Sequence, residues 1–320
     1  MRRKKNLKVF AKAFHKFFTL ILLFSLKMTF SFSQEAADST LFSELEKNGF
    51  YVRAQNLADS GSFPKNLIVE LQSPKKDDIP IDNVIFAFTQ DFFEEKNALL
   101  LMLLKELKDL NLPYDCTVIL TTNDEPLPLR GDSGRAHHPR GTEIFTQSLG
   151  NADNYCSIVI EESAEGKKTF FARQSYSIVP GGNSDVSPSW LVKAICDSCT
   201  MSNAVPSIPM SFSMLFRLGL ARETRRVSNF MTQSIPSVGI SLMPTKDDLD
   251  IIINAAKLLS TRRNSRWDRH YTVFKLGKYS LWPGEAVLAL SYMIFALIAI
   301  FSVSFFFFRD ISKNKATIID

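Results

Sequence analysis

Three short apolar runs in this chain end in polar and acidic residues. Asn83–Thr89 is followed by Gln90-Asp91, Cys116–Thr122 by Asn123-Asp124-Glu125, and Tyr155–Ile160 by Glu161-Glu162. If the runs are strands of an open α/β sheet, these residues border the crevice beyond the carboxyl ends, where ligands bind. His137-His138 lie in the loop after Glu125 and could bring imidazoles beside it to hold one metal ion, or simply stand exposed. Cys196-Asp-Ser-Cys199 has redox-pair spacing without the strand context such a motif requires. Arg130-Gly-Asp132 is a tripeptide of high chance frequency. No Gly-x-Ser-x-Gly, phosphate loop or dinucleotide fingerprint occurs, so hydrolase and nucleotide readings lack a starting point.

The elements that must position these groups are legible from periodicity. The run 83–89 is nearly unbroken and apolar, as expected of a strand buried on both faces. After it, Leu99, Leu100, Leu103, Leu104 and Leu107 make the broad apolar face of a helix over 94–110. Phe50–Arg53 and Asn66–Leu71 read as strands, as do 168–173, 175–179 and 235–241. Residues 34–48, 141–149, 187–199 and 247–259 have helical spacing, and 230–234 reads as a turn. Strands alternating with helices, without repeats, make a single α/β domain.

A chain of 320 residues with 45% hydrophobic residues can bury a full core. Its net charge of +5 is unevenly spread. Residues 1–33 carry eight bases and no acid, whereas 34–285 carry 27 bases against 31 acids. A body of that balance is no electrostatic binder of nucleic acid. The basic N-terminus with its apolar core Phe17–Leu26 reads as a signal peptide or a short anchor over 1–33. Ala286–Phe308 runs 23 residues without a charge, enough for a transmembrane helix. Tyr279 and Trp282 stand at its entry, and Arg309, Lys313 and Lys315 favour a short cytoplasmic tail over 309–320. Before the span, 262–285 is a basic juxtamembrane segment, lying on anionic headgroups or forming a solvated stalk.

Over residues 66–242 the chain resembles the zinc-dependent exopeptidase family, of the aminopeptidase and glutamate carboxypeptidase type. Asn66-Leu-Ile-Val-Glu-Leu71 matches the family's N-V-I-A-E-L strand. Thr89-Gln-Asp91 stands at H-x-D, Lys96-Asn-Ala98 at D-N-A, Asp124-Glu125 at E-E, and Gly141-Thr142 at G-S. Ile160-Glu161 matches a later acidic strand end, and Arg225-Arg-Val-Ser-Asn-Phe230 stands at S-D-H-x-x-F. The resemblance implies a three-layer sandwich with a mixed central sheet. It places lost metal ligands at Thr89, Lys96 and Val227, a vestigial general base at Asp124, and a vestigial pocket of Asp91, Lys96, Glu125 and Glu161. A cocatalytic zinc pair needs two imidazoles, a bridging carboxylate and a further carboxylate for each ion. Three of those five ligands are replaced. Lys96 would either neutralise Asp91, Glu125 and Glu161 in place of the metal, or be an ordinary solvated residue in the first turn of a helix.

The expectation is a pseudo-peptidase rather than an enzyme, with no cofactor. Residues 34–261 form the domain on the extracytoplasmic side of a membrane, and its cleft binds a protein or peptide partner. The alternative is a diverged metallo-aminopeptidase holding one zinc through Glu125, Glu161 and a loop histidine, with Asp124 as base. Cys116, Cys156, Cys196 and Cys199 could form disulfides in an oxidising compartment.

Overall fold

The computed structural model describes residues 41–57, 65–78, 81–93, 96–122, 124, 141–150, 152–162, 167–168, 174–182, 185–208, 225–264, 266–276 and 279–316. Segment 1–33, the Arg130-Gly-Asp132 tripeptide, Glu125 and His137-His138 lie outside them.

The sheet is built on β3 (Asn83–Thr89), whose Val84–Phe88 are all buried because helices cover both its faces. It pairs in parallel with β4 (Asp115–Thr121) and with β5 (Tyr155–Glu162), and β5 pairs in parallel with β11 (Ser237–Leu242). On one side β2 (Lys65–Leu71) joins β4 antiparallel and β1 (Val52–Asn56) closes the edge. On the other side β7 (Gln174–Val179) runs antiparallel to β11 and carries β6 (Lys167–Lys168) and β10 (Val205–Ser207), while β8 (Gly181–Gly182) and β9 (Asp185–Val186) form a separate antiparallel pair. The result is a nine-stranded mixed sheet in the order β1-β2-β4-β3-β5-β11-β7-β10, with β6 paired to β7 off that path.

Alternation along the strands divides the interior in two. Val84, Phe86 and Phe88 of β3 face the larger core, against α1 (41–47), α2 (Asn97–Asp109), α4 (Ser189–Met201) and α6 (Lys246–Arg262). Ile85 and Ala87 face a smaller core with Phe145 of α3 (Gly141–Ser148) and Val227 and Phe230 of α5 (Arg225–Thr232). Helix, sheet and helix make the three layers. The segment expected as a turn at 230–234 starts as the end of α5, up to Thr232, and turns at Gln233 and Ser234. α5 is held by Val227, Phe230 and Met231, which are spaced to face the sheet.

The segment after α6 corrects the expectation of a juxtamembrane stalk. Arg263 has a fully buried side chain and donates to Ile81 O at 2.6 Å and to both oxygens of Asp77 at 2.7 Å. Its guanidinium lies 4.3 Å from the Tyr114 ring centroid. Arg262 pairs with Asp197 and Arg269 with Asp185, so charge that could have met headgroups is spent on the domain. Next come β12 (Phe274–Leu276), paired antiparallel with β13 (Tyr279–Leu281), and helix α7 (Glu285–Ala316), which is 32 residues long. Twelve of the fourteen large exposed hydrophobic side chains among the described residues lie on α7, from Val287 to Phe305. Among the described residues no helix is long and apolar enough to cross a membrane. The part of α7 with every side chain described, 289–305, falls short of the ~20 residues a bilayer core needs.

The expected disulfides do not form: all four cysteines are buried thiols. Cys116 and Cys156 flank Val84 from opposite neighbouring strands. Two strand spacings, ~9.6 Å, exceed the ~7 Å that a disulfide spans. Burial pushes the Cys199 thiol up to about 12, the reverse of what a redox-active pair requires.

Candidate functional site

The carboxyl ends of β3, β4 and β5 meet the amino ends of α3 and α5. Asp124 lies just beyond β4, and its two oxygens are fully engaged. Oδ1 accepts from the Thr142 backbone N–H at 3.0 Å and Oδ2 from the Thr142 hydroxyl at 2.5 Å, so the carboxylate caps α3. The start of that helix is locked against the strand by Asn66, which donates to Gly141 O at 2.8 Å and accepts from Thr122 N at 3.3 Å. Position 141 takes only glycine, because a Cβ there would collide with Thr122 O.

The third partner of Asp124 is Arg226, from the first turn of α5. Its Nε lies 3.2 Å from Asp124 Oδ2, both side chains being about 5% exposed or less. The same guanidinium donates to Ile160 O at the end of β5 at 2.8 Å and to Thr121 Oγ1 at the end of β4 at 3.2 Å. Nε also reaches Thr142 Oγ1 at 3.4 Å. One buried cation therefore ties two strand ends to two helix starts. A planar fork with several donors satisfies that geometry; an ammonium would not.

The residues expected at the site are only partly brought together. Asp124 and Glu161 border the strand ends, Glu161 being half-buried. Thr89 ends β3 in register with Thr121. Asp91 is exposed in the turn after β3. Lys96 is exposed, with its Nζ 3.4 Å from Pro244 O, and the described ion pairs do not include it. Val227 points into the smaller core, fully buried, rather than toward Asp124. The internal cation is thus Arg226, one residue before the position the resemblance assigns to a lost histidine. The sequence signal for it was an arginine next to the first buried residue of an apolar stripe.

A zinc pair does not fit these residues. The Asp124 carboxylate is spent on a helix start and a guanidinium, whose charge would repel a divalent ion at that point. Among the described residues no three His, Cys, Asp or Glu side chains cluster as ligands. What the edge does hold is unspent hydrogen-bonding capacity. The buried side-chain atoms without a partner among the described residues are Gln90 Oε1, Thr122 Oγ1 and Glu161 Oε1, one at the carboxyl end of each of the three adjacent strands. A cavity of about 220 Å³, lined by Arg53, Asn83, Asp115 and Tyr155 among others, lies at the opposite edge, away from this chemistry.

The chain is similar to three solved structures. One is a Zn-dependent exopeptidase from Parabacteroides distasonis (12% identity, 72% of this chain and 90% of that one, TM-score 0.43). Another is a leucine aminopeptidase precursor from Bacteroides thetaiotaomicron (13%, 72% and 88%, TM-score 0.41). The third is a glutaminyl cyclase from Fimbriiglobus ruber (14%, 72% and 87%, TM-score 0.41). No curated protein matches the sequence. The profile of the first domain of the TP_0564 family spans residues 48–282, the whole sheet with its strapped-on C-terminal segment, and the chain belongs to that family.

Proposed function

We propose that this protein is a membrane-anchored, non-catalytic peptidase-like module that binds a peptide or protein segment at the carboxyl edge of its sheet. The observation that carries the reading is the Arg226–Asp124 pair at 3.2 Å, which holds the carboxylate at the general-base position on a fixed guanidinium. Exposed Asp91 and half-buried Glu161 border that edge and supply carboxylate acceptors for backbone N–H groups of an incoming chain. The uncharged stretch Ala286–Phe308 of α7 serves as the anchor, with the domain on the extracytoplasmic side.

The test uses the full chain in nanodiscs. Metal analysis after zinc loading should give well under one ion per chain, and peptide substrates should release no amino-terminal residues. A peptide array should give binders that Glu161→Gln and Asp91→Asn weaken. Stoichiometric zinc together with aminopeptidase turnover would establish a diverged metallo-aminopeptidase instead.

A further inference from the structure

The four central parallel strands give the domain two distinct edges. The Arg226 site lies at their carboxyl ends. The described contacts named below, which hold the 263–284 segment, lie at the other edge. Arg263 grips Ile81 and Asp77 before β3 and stacks on Tyr114 before β4. Trp267 Nε1 donates to Val186 O at 2.7 Å, and the Tyr271 hydroxyl donates to Ser187 O at 2.7 Å. Ser187 in turn donates through its hydroxyl to Ser237 O at the amino end of β11. Trp190 Nε1 donates to Arg266 O at 3.1 Å and Ser189 Oγ to Asp268 at 2.9 Å. Tyr271 then bridges to Gly284, its ring packs 5.8 Å from that of Trp282, and Thr272 N donates to Pro283 O at 3.0 Å. Glu285 opens α7 immediately afterwards.

Among the described residues, hydrogen-bonded contacts therefore run from the core strands to Gly284, the residue before the helix. Along α7 the large hydrophobic side chains stay exposed, so the helix projects from the domain instead of packing along it. We infer that the 263–284 strap fixes the domain's pose on the bilayer, with the amino-end edge of the sheet toward the lipid and the Arg226 edge facing away. The site then meets partners in the aqueous phase and is closed to ligands lying in the membrane. This inference rests on α7 being the anchor.

The four native cysteines are buried, which permits single-site labelling of the full chain. Lys75→Cys marks the lipid edge and Asp91→Cys the distal edge, both positions being exposed. Each is labelled with a donor dye in proteoliposomes carrying a rhodamine-labelled phosphatidylethanolamine acceptor. With the edges ~20 Å apart, transfer from position 75 should exceed that from 91 by about twofold or more. Equal or inverted efficiencies in a carbonate-resistant protein would overturn the pose while leaving the anchor intact. A protein stripped by alkaline carbonate would instead refute the anchor, and the pose with it. Asp77→Asn, which removes the carboxylate from the strap, should bring the two efficiencies together without releasing the protein. An unchanged ratio in that folded variant would refute the role of the Arg263 clamp.

Discussion

Arg226 and Asp124 face each other at 3.2 Å across the ends of the central strands, and water reaches almost none of either side chain. A pair so placed cannot be weighed by its Coulomb attraction alone, since both partners lost hydration on folding. The described hydrogen-bond partners of the pair are Thr142, Thr121 and Ile160 O. Such a network is costly to break from one side and cheap to remove whole.

That asymmetry gives the first test. Arg226→Met leaves the Asp124 charge buried with only Thr142 for company, and Asp124→Asn leaves the guanidinium uncompensated. Each should cost about 3–5 kcal/mol in urea unfolding. The double variant should cost clearly less than the sum of the two, by at least ~1 kcal/mol. Strict additivity would mean that the pair is not an energetic unit.

Gly141 offers a backbone test of the same corner. An alanine Cβ would collide with Thr122 O and fall 2.5 Å from Asn66 Oδ1. Neither can move without losing the bonds that dock α3 on β4. Gly141→Ala should destabilise the fold by about 1–3 kcal/mol. Gly150→Ala, whose added methyl meets nothing within 4 Å, should leave the melting temperature unchanged.

The scaffold was legible because its signals are local. Val84–Phe88, Val118–Leu120 and Ile158–Ile160 announce buried strands by composition, and Leu100, Leu103, Leu104 and Leu107 announce α2 by spacing. The site was legible only as a place. Asp124 and Glu161 border the expected edge, but Lys96 was the wrong cation, since its long side chain finds solvent and a carbonyl beyond β11. Arg226 resembles any surface arginine until the register of α5 is known. That register is set by Phe230 packing on Phe145 and Val227 packing over Gly239, contacts that no local window of sequence contains. Likewise 262–271 carries the composition of a stalk, and contacts with residues distant in sequence, the carboxylates of Asp77, Asp185 and Asp197 among them, make it part of the domain.

Alkaline pH should destabilise the protein through its buried thiols. Burial pushes Cys156 and Cys199 up to about 12 from an ordinary 9.0. Folded thiols stay protonated while unfolded ones ionise, so the contribution is complete below pH 9.0 and is lost as pH rises from there toward 12. The slope is up to ~1.4 kcal/mol per pH unit for each thiol. Melting temperature measured from pH 8 to pH 11 should fall, and Cys156→Ala should flatten the fall. A native protein that reacts with a thiol reagent at pH 8 as fast as the unfolded chain would contradict this.

Asp248 is the buried polar anchor of the opposite face, where it starts α6. It is 1% exposed and accepts from the Tyr176 hydroxyl and, at 2.6 Å, from the Met243 backbone N–H. Its own N–H donates to the Thr245 side chain at 3.3 Å, which caps the helix. Asp248→Ala strands two buried donors and should cost about 1–3 kcal/mol. Asp248→Asn should cost less, because the amide oxygen can keep Met243 while its NH₂ turns to the tyrosine hydroxyl as acceptor. Burial and the hydrogen bond to Asp248 hold the Tyr176 hydroxyl well above the usual phenol range. Tyr176→Phe should therefore be costly beside Asp248 and nearly neutral once Asp248→Ala has removed the partner. Urea unfolding of the two single variants and the double variant closes that cycle, and a Tyr176→Phe cost that persists in the Asp248→Ala background would show that packing, not this hydrogen bond, holds β7 to α6.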